Sequence, residues 1–185
     1  MGQEVCPVWA GYWLASPIRK LWQNPEKILS DYVKPGMTVI DVGSAMGFFT
    51  LPMAQLVDES GSVIAIDVQE KMLEKLRNRA RKKNLHHRIQ THLAESTLLN
   101  MKRPVESVDF ALAFAVVHEV PDQHQLFLEL YQVLKDDARV LFAEPKGHVS
   151  KEAYSESIRE ARQAGFEVGK SLDIRGAIAN ILIRS

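Results

Sequence analysis

Two carboxylates and two glycines stand where two predicted strands end. The apolar run 38–42 predicts a short buried strand that carries Asp41, and Gly43 and Gly47 lie in the turn that follows it. A second apolar strand ends at Asp67, about 20 residues beyond that turn. Because glycine has no side chain, a ligand can approach the backbone amides of such a turn closely. The pattern predicts a site for a nucleotide-type cofactor at one edge of a parallel sheet.

Each half of this pattern also has a simpler explanation. The motif Gly-x-Ala-x-Gly at residues 43–47 is weak evidence alone, and it also fits a tight strand-to-helix turn without a ligand. Asp67 also fits the N-cap of a helix that begins at Gln69. A carboxylate at that position can accept hydrogen bonds from both hydroxyls of a ribose. The order of strand, turn, helix, strand and carboxylate favours the cofactor site.

Asp41 distinguishes between two classes of cofactor, a dinucleotide and an adenosyl sulfonium. It lies beside the space that a pyrophosphate would fill, where a negative charge opposes phosphate and suits an ammonium or sulfonium group. The end of the chain agrees, because residues 166–172 and 177–183 read as two extended segments with no room for a helix between them. An antiparallel hairpin there differs from a plain dinucleotide fold, whose last strands are parallel.

The composition restricts the class of protein. A length of 185 residues suits one compact domain. The formal net charge is zero, which gives no general preference for nucleic acid or an anionic membrane. Cys6 is the only cysteine, which excludes an intrachain disulfide and a multi-cysteine metal site and fits a reducing, cytoplasmic setting. We expect no signal peptide, no membrane insertion and no bound metal. The composition does not indicate an oligomeric state.

The N-terminal residues differ from the rest of the chain. Residues 1–36 are predicted to form an aromatic-rich helical cap segment, and residues 37–185 the main domain. Asn24 is the predicted N-cap of a helix, with Pro25 at its first position. Three aromatic side chains of the cap segment form either a lid over an active site or a segment packed on the sheet edge: Trp9, Tyr12 and Trp13.

The main domain alternates predicted strands and helices. Besides the two strands above, apolar runs predict strands at residues 88–93, 107–114 and 139–143. Asp122 and Gln125 form a capping-box pattern before a helix, and Ser150 caps a last helix that Gly165 ends. Residues 135–137 are predicted as the turn that leads into the strand at 139–143.

Taken together, these segments resemble the class I S-adenosylmethionine-dependent methyltransferases, in particular the small branch that includes the ubiquinone/menaquinone-biosynthesis type. The resemblance runs from Asn24 to the C-terminus and rests on four stretches, residues 39–47, 63–67, 109–119 and 134–145. It implies an α/β fold with a Rossmann-like, doubly wound sheet of seven strands. The implied strand order is 3-2-1-4-5-7-6, with the last strand antiparallel.

The resemblance also implies which residues contact S-adenosylmethionine. The methionine portion belongs to the first turn and the carboxylate before it: Asp41, Gly43, Ser44, Ala45, Met46 and Gly47. Asp67 would hold the ribose, and the adenine would lie against residues after the second and third strands: Val68, Met72, Leu93, Ala94 and Glu95. Two residues after the fourth strand, Phe114 and Ala115, match positions that line the methyl end.

Methyl transfer depends mostly on orientation, and it needs a base only if the acceptor must lose a proton. His118, after the fourth strand, and Glu144, at the end of the fifth, are the candidate catalytic residues. The simpler explanations are a histidine that packs or caps locally and a loop residue before Pro145. Weaker candidates for the base are His124, Tyr12 and Tyr154.

We therefore expect an S-adenosylmethionine-dependent methyltransferase that acts on a small-molecule acceptor, apolar or aromatic, and has no nucleic-acid partner. The alternatives are a non-catalytic regulatory protein that binds the same cofactor and a dinucleotide-dependent oxidoreductase. The basic run between Arg77 and Arg88 is predicted to be a solvated helix face, with an RNA contact as the alternative. With a single cysteine, the chain does not look like the thiolate-rich arsenite methyltransferases.

Overall fold

Seven strands form one mixed sheet in the computed structural model. They are β1 (Thr38–Val42), β2 (Ser62–Asp67), β3 (Ile89–Leu93), β4 (Val108–Phe114), β5 (Leu134–Pro145), β6 (Phe166–Ser171) and β7 (Ala177–Arg184). Their order in the sheet is β3-β2-β1-β4-β5-β7-β6, and β7 runs antiparallel to both of its neighbours. The α/β class, the strand order and the antiparallel last strand are confirmed.

Five helices accompany these strands in the described residues: α1 (Pro25–Leu29), α2 (Thr50–Leu56), α3 (Glu70–Lys82), α4 (Gln123–Val133) and α5 (Lys151–Gln163). The structure describes residues 23–95, 99–101 and 106–185. Trp9, Tyr12 and Trp13 lie outside them, so the choice between a lid and a packing segment stays a prediction. No helix within the described ranges has the length and hydropathy needed to cross a membrane. The chain divides into two units, one through Leu93 and one from Ala94, which are described in turn.

The first unit contains three parallel strands, in which β1 pairs with β2 and β2 with β3. β1 and β2 are buried along almost their whole length, as expected of continuous apolar runs in a parallel sheet. β3 is half exposed. The side chain of Asn24 accepts hydrogen bonds from the N–H groups of Glu26 and Lys27, which confirms the predicted helix start.

The second unit begins with β4 parallel to β5 and closes with the antiparallel pair β6 and β7. The predicted terminal hairpin is therefore present. Both predicted caps are present as well, since Asp122 accepts from the N–H of Gln125 and Ser150 from the N–H of Ala153. The core of this unit contains an aromatic cluster, in which Phe127 lies edge to face against both Phe142 and Phe166.

The predicted turn at residues 135–137 is wrong, because these residues belong to β5. Val108 pairs with Leu134 and Phe110 with Arg139, so β5 carries extra residues that bulge out of the ladder. Asp137 has a left-handed φ of 60° at the bulge. Its neighbours pair across strands, Lys135 with Asp109 and Asp136 with Arg184. These ion pairs join the segment to β4 and β7, the strands on either side of β5.

Gly165 offers a test of why α5 ends where it does. Its φ is 110°, and an added Cβ would lie 2.8 Å from Cε2 of the Tyr131 ring, whereas Gly147 has a φ of 85° and open space around it. We expect Gly165→Ala to lower the free energy of unfolding by about 2 to 4 kcal/mol, from backbone strain and overpacking. Gly147→Ala is the control that adds backbone strain without a clash, and it should lower the free energy of unfolding by roughly 1 kcal/mol. Urea unfolding of both variants measures the difference. Equal losses would contradict the steric explanation.

Candidate functional site

The turn between β1 and α2 has an alternating left-handed backbone. Gly43, Ala45 and Gly47 have φ values of 70°, 45° and 83°. Ala45 is strained there, since a non-glycine residue in this region costs about 1 to 2 kcal/mol. Gly47 has a further constraint, because an added Cβ would lie 2.3 Å from Cδ1 of Leu76 in α3. The glycine that the sequence assigned to ligand clearance is thus also close-packed against α3, where Leu76 would have to shift to admit a larger residue.

Asp67 ties this turn to α3. Its Oδ2 accepts a hydrogen bond from the N–H of Ala45 and its Oδ1 one from the N–H of Gln69, both at 2.8 Å. The sequence offered helix capping and ribose binding as the roles of Asp67. The N-cap of α3 is Gln69, so Asp67 binds the capping residue and is not itself the N-cap, and the structure adds the bond to the turn. Burial raises the pKa of Asp67, while the N–H donors act in the opposite direction. Each carboxylate oxygen has a second lone pair, so further acceptor capacity remains for a ligand hydroxyl.

Asp41 is buried beneath the same turn, with 3% of its surface exposed. The hydroxyl of Thr50 donates to its Oδ2 at 2.5 Å. Burial raises the pKa of Asp41 to about 7; the bond from Thr50 opposes this rise and the charge of Asp67 adds to it. The full negative charge that the sequence argument assumed at Asp41 is therefore only partly present at neutral pH.

The amides of the turn are occupied by acceptors of the protein itself. Ser44 N–H donates to the carbonyl of Ile66, and Gly47 N–H to the carbonyl of Ser44, in addition to the bond from Ala45 to Asp67. A pyrophosphate cradle needs such donors to converge on the anion. This arrangement fits a dinucleotide poorly.

Two observations indicate that this edge suits a ligand with polar and apolar parts. Ser44 Oγ is buried and has no hydrogen-bond partner among the described residues, a situation that costs about 1 to 3 kcal/mol if it persists. Val68 and Leu93 are the large apolar side chains that the described residues expose most, at 41% and 52%. They adjoin Asp67, because Val68 follows it and Leu93 is its partner in β3. Apolar surface next to a carboxylate suits an adenosine.

The other residues predicted to contact the cofactor have less informative positions. Met72 and Ala94 are buried, while Glu95 is exposed. Phe114 ends β4 and is buried, and Ala115 follows it with a left-handed φ of 58°. Ala45 and Ala115 are the described alanines with positive φ, and both stand at predicted cofactor positions. Strain of this kind tends to gather at functional sites.

The second unit brings the two predicted catalytic residues together. Nδ1 of His118 lies 2.7 Å from Oε2 of Glu144, and the backbone N–H of His118 donates to Oε1 of the same carboxylate at 3.1 Å. Glu144 is only 1% exposed, and its hydrogen bond is the main cause that raises the pKa of His118, partly offset by burial. Oε1 of Glu119 is 3.9 Å from the other ring nitrogen, Nε2. A carboxylate–histidine pair of this geometry can hold the imidazole in one orientation.

Sequence reasoning missed His148. Its ring lies edge to face with that of His118, with 5.0 Å between the ring centroids. The available signal was its place four residues after Glu144, in the turn that follows β5.

The weaker candidates have structural contacts. Tyr154 is buried, stacks on Phe142 and donates its hydroxyl to Asn180, and burial raises its pKa. His124 Nδ1 lies 3.4 Å from the carboxylate of Glu160 in α5. Tyr12 lies outside the described residues. In the described part of the chain, no group of three or more His, Cys, Asp or Glu side chains is arranged to hold a metal ion.

The basic run is a solvated face in part, since Arg81, Lys82, Lys83, His86 and His87 are exposed as expected, while three arginines have partners. Arg77 donates to the hydroxyl of Thr91, and Arg88 donates to the carbonyl of Ala54. Arg79 is half-buried and donates to the carbonyl of Met46 in the glycine turn. These arginines therefore bind within the first unit.

The comparisons with known proteins identify the family. A family model described as a methyltransferase domain matches residues 33–174. The demethylmenaquinone methyltransferase of Lactobacillus johnsonii is 32% identical over 108 residues, which cover 58% of this chain and 43% of that protein. The arsenite methyltransferase of Halobacterium salinarum is 32% identical over 121 residues, 65% of this chain and 30% of that protein. The chain thus spans less than half the length of these two relatives.

A crystal structure of an S-adenosylmethionine-dependent methyltransferase from Aquifex aeolicus is similar over 98% of this chain and 100% of that one, with 26% identity and a TM-score of 0.86. The chain belongs to the S-adenosylmethionine-dependent methyltransferase domain family and has its class I, Rossmann-like fold. S-adenosylmethionine is the methyl donor that this membership implies.

The raised pKa of Asp41 predicts how stability depends on pH. With its pKa raised from 3.8 to about 7, folded Asp41 keeps a proton that the unfolded chain loses, so the free energy of unfolding falls as pH rises through this window. Asp41→Asn cannot ionise, and we expect its stability advantage over the wild type to grow by roughly 2 to 3 kcal/mol between pH 5 and pH 8. Urea unfolding at both pH values measures this. The exposed control Asp31→Asn should keep the wild-type slope, and the same slope in Asp41→Asn would refute the assignment.

Proposed function

We propose that this chain binds S-adenosylmethionine at the carboxyl ends of β1 and β2 and transfers its methyl group to a small apolar or aromatic acceptor. The observation that carries the proposal is the arrangement around Asp67. One carboxylate with spare acceptor capacity lies beside an exposed apolar surface on one side and a turn with a buried, unpartnered hydroxyl on the other. Ribose, adenine and the methionine portion need these three environments.

The proposed contacts follow from these environments. Asp67 accepts from the ribose hydroxyls, Val68 and Leu93 pack on the adenine, and Ser44 bonds to a polar group of the methionine portion. The remaining positions complete the proposed contacts: Asp41, Gly43, Ala45, Met46 and Gly47 around the methionine portion, Met72, Ala94 and Glu95 near the adenine, and Phe114 and Ala115 at the methyl end. Asp41 faces the cationic part of the ligand, which favours its ionised form.

His118 is the proposed base for an acceptor that must lose a proton. S-adenosylmethionine supplies an activated methyl group, so the protein has to orient the acceptor, exclude water and take up a proton. Glu144 holds Nδ1 of His118, which leaves Nε2 to receive the proton. The raised pKa of His118 makes it a stronger base once it is deprotonated.

The relatives name two kinds of acceptor, demethylmenaquinone and arsenite. Arsenite is a thiophilic ion, and Cys6 is the only cysteine of this chain. An aromatic acceptor with an ionisable hydroxyl or an acidic carbon makes use of the proposed base. We therefore place the acceptor with the aromatic class.

Calorimetric titration with S-adenosylmethionine, S-adenosylhomocysteine and NAD tests the cofactor. We expect both sulfur compounds to bind, and Asp67→Ala to weaken binding at least about tenfold, because two ribose bonds to a charged acceptor are lost. Asp67→Asn, which keeps the size, should weaken it less. Glu74→Ala on the exposed face of α3 is the control and should bind as the wild type does. Binding of NAD alone would reject the proposal.

The pH profile of turnover with an aromatic acceptor tests the base. The rate should rise with pH through the pKa of His118, and Glu144→Gln should move this rise to lower pH because the charge that raises the pKa is gone. We expect His118→Gln to lower kcat by about 10² to 10⁴. His148→Gln, the neighbouring imidazole, serves as the comparison and should retain most of the activity. A profile that is identical in Glu144→Gln would exclude His118 as the base.

A further inference from the structure

Two neighbouring residues in the middle of the glycine turn are each hydrogen-bonded to a charged side chain. Asp67, at the end of β2, accepts from the N–H of Ala45. Arg79, in α3, donates to the carbonyl oxygen of Met46. The bond from Asp67 to the N–H of Gln69 fixes the residue before the start of α3, so both groups are attached to the same rigid element. We call Asp67 and Arg79 together the turn clamp.

The geometry of α3 explains why Arg79 reaches the turn. Leu76 and Arg79 are three residues apart and share one face of the helix. Leu76 packs against Gly47 so closely that a Cβ at that glycine would lie 2.3 Å from it. Arg79 is half-buried on this face, whereas Arg81 is exposed and contacts Asn78 on its own helix. Burying a guanidinium costs free energy unless it is hydrogen-bonded, and the Met46 carbonyl supplies that bond.

The turn needs such support because Ala45 is strained. Its φ of 45° lies in the left-handed region, where the Cβ of alanine causes a steric strain that glycine avoids. A strained backbone persists only where the surrounding structure holds it in place. One hydrogen bond holds the N–H of Ala45 and the other holds the carbonyl of Met46. Loss of either hydrogen bond therefore lets the turn relax.

We propose that Arg79 is a positioning residue for cofactor binding, which acts through the Met46 carbonyl to keep the turn in its binding conformation. The proposal rests on the cofactor site proposed above and extends it to a residue of α3 that has no assigned contact with the ligand. Relaxation of the turn lowers the fraction of molecules able to bind, and the measured affinity falls by the same factor. For one charge-assisted hydrogen bond, we expect a loss of about tenfold.

The test compares Arg79→Ala with Arg81→Ala, which removes the same side chain two residues away. We expect S-adenosylhomocysteine to bind about tenfold more weakly to Arg79→Ala and normally to Arg81→Ala. Hydrogen exchange should speed up in Arg79→Ala at the amides of Ala45 and Gly47, while the rest of β1 and β2 keeps its protection. Millimolar guanidinium should restore part of the affinity of Arg79→Ala and leave Arg81→Ala unchanged. A purely structural role would instead lower protection throughout the unit.

The outcomes separate the two proposals. If the wild type does not bind S-adenosylhomocysteine, the proposed function fails. If the wild type binds and Arg79→Ala binds equally well, the clamp is refuted and the proposed function stands. Should Arg79→Ala not fold, Arg79→Met carries the same test, because it keeps an unbranched apolar stem but removes the charge and every hydrogen-bond donor. Unchanged affinity and unchanged exchange at Ala45 in that variant would likewise overturn the clamp.

Discussion

The structure of the first unit depends on one carboxylate that binds two backbone amides belonging to different elements. Asp67 ends β2, and its two oxygens join the turn after β1 to the start of α3. Burying this carboxylate costs free energy, and the two charge-assisted hydrogen bonds offset part of that cost. The conformation of the turn at Ala45 and the start of α3 both depend on this residue, and so does the proposed ribose site.

The second unit contains a similar buried carboxylate, which has a different structural effect. Glu144 is also a buried carboxylate near the end of a parallel strand, and it also accepts from a backbone N–H in the loop after another strand, here that of His118. Its second oxygen engages the imidazole of that same residue. In the first unit the carboxylate organises a backbone, and in the second it orients a side chain. Both depend on the carboxyl ends of parallel strands, where loops converge and ligands commonly bind.

Local patterns predicted much of the fold, because its strongest signals lie within short stretches of sequence. β1 and β2 are continuous apolar runs, and the caps at Asn24, Asp122 and Ser150 bind amides two or three residues away. Residues 135–137 were misread because their ion-pair partners, Asp109 and Arg184, are distant in sequence. For the same reason the sequence indicated His118 and Glu144 separately and left out the contact of Arg79 with the turn. A residue type can be recognised from its neighbours in the chain, but its partner is decided by packing.

The buried position of Asp41 has a consequence for how the site is filled. A carboxyl group with a pKa of about 7 is occupied by a proton in about half of the molecules at neutral pH. If the cationic end of the methyl donor lies there as proposed, the proton and the donor compete for the same oxygen atoms. Acidification then empties the site without any change in donor concentration, and each donor that enters displaces a fraction of a proton into the buffer. The heat of binding would accordingly vary with the ionisation enthalpy of the buffer.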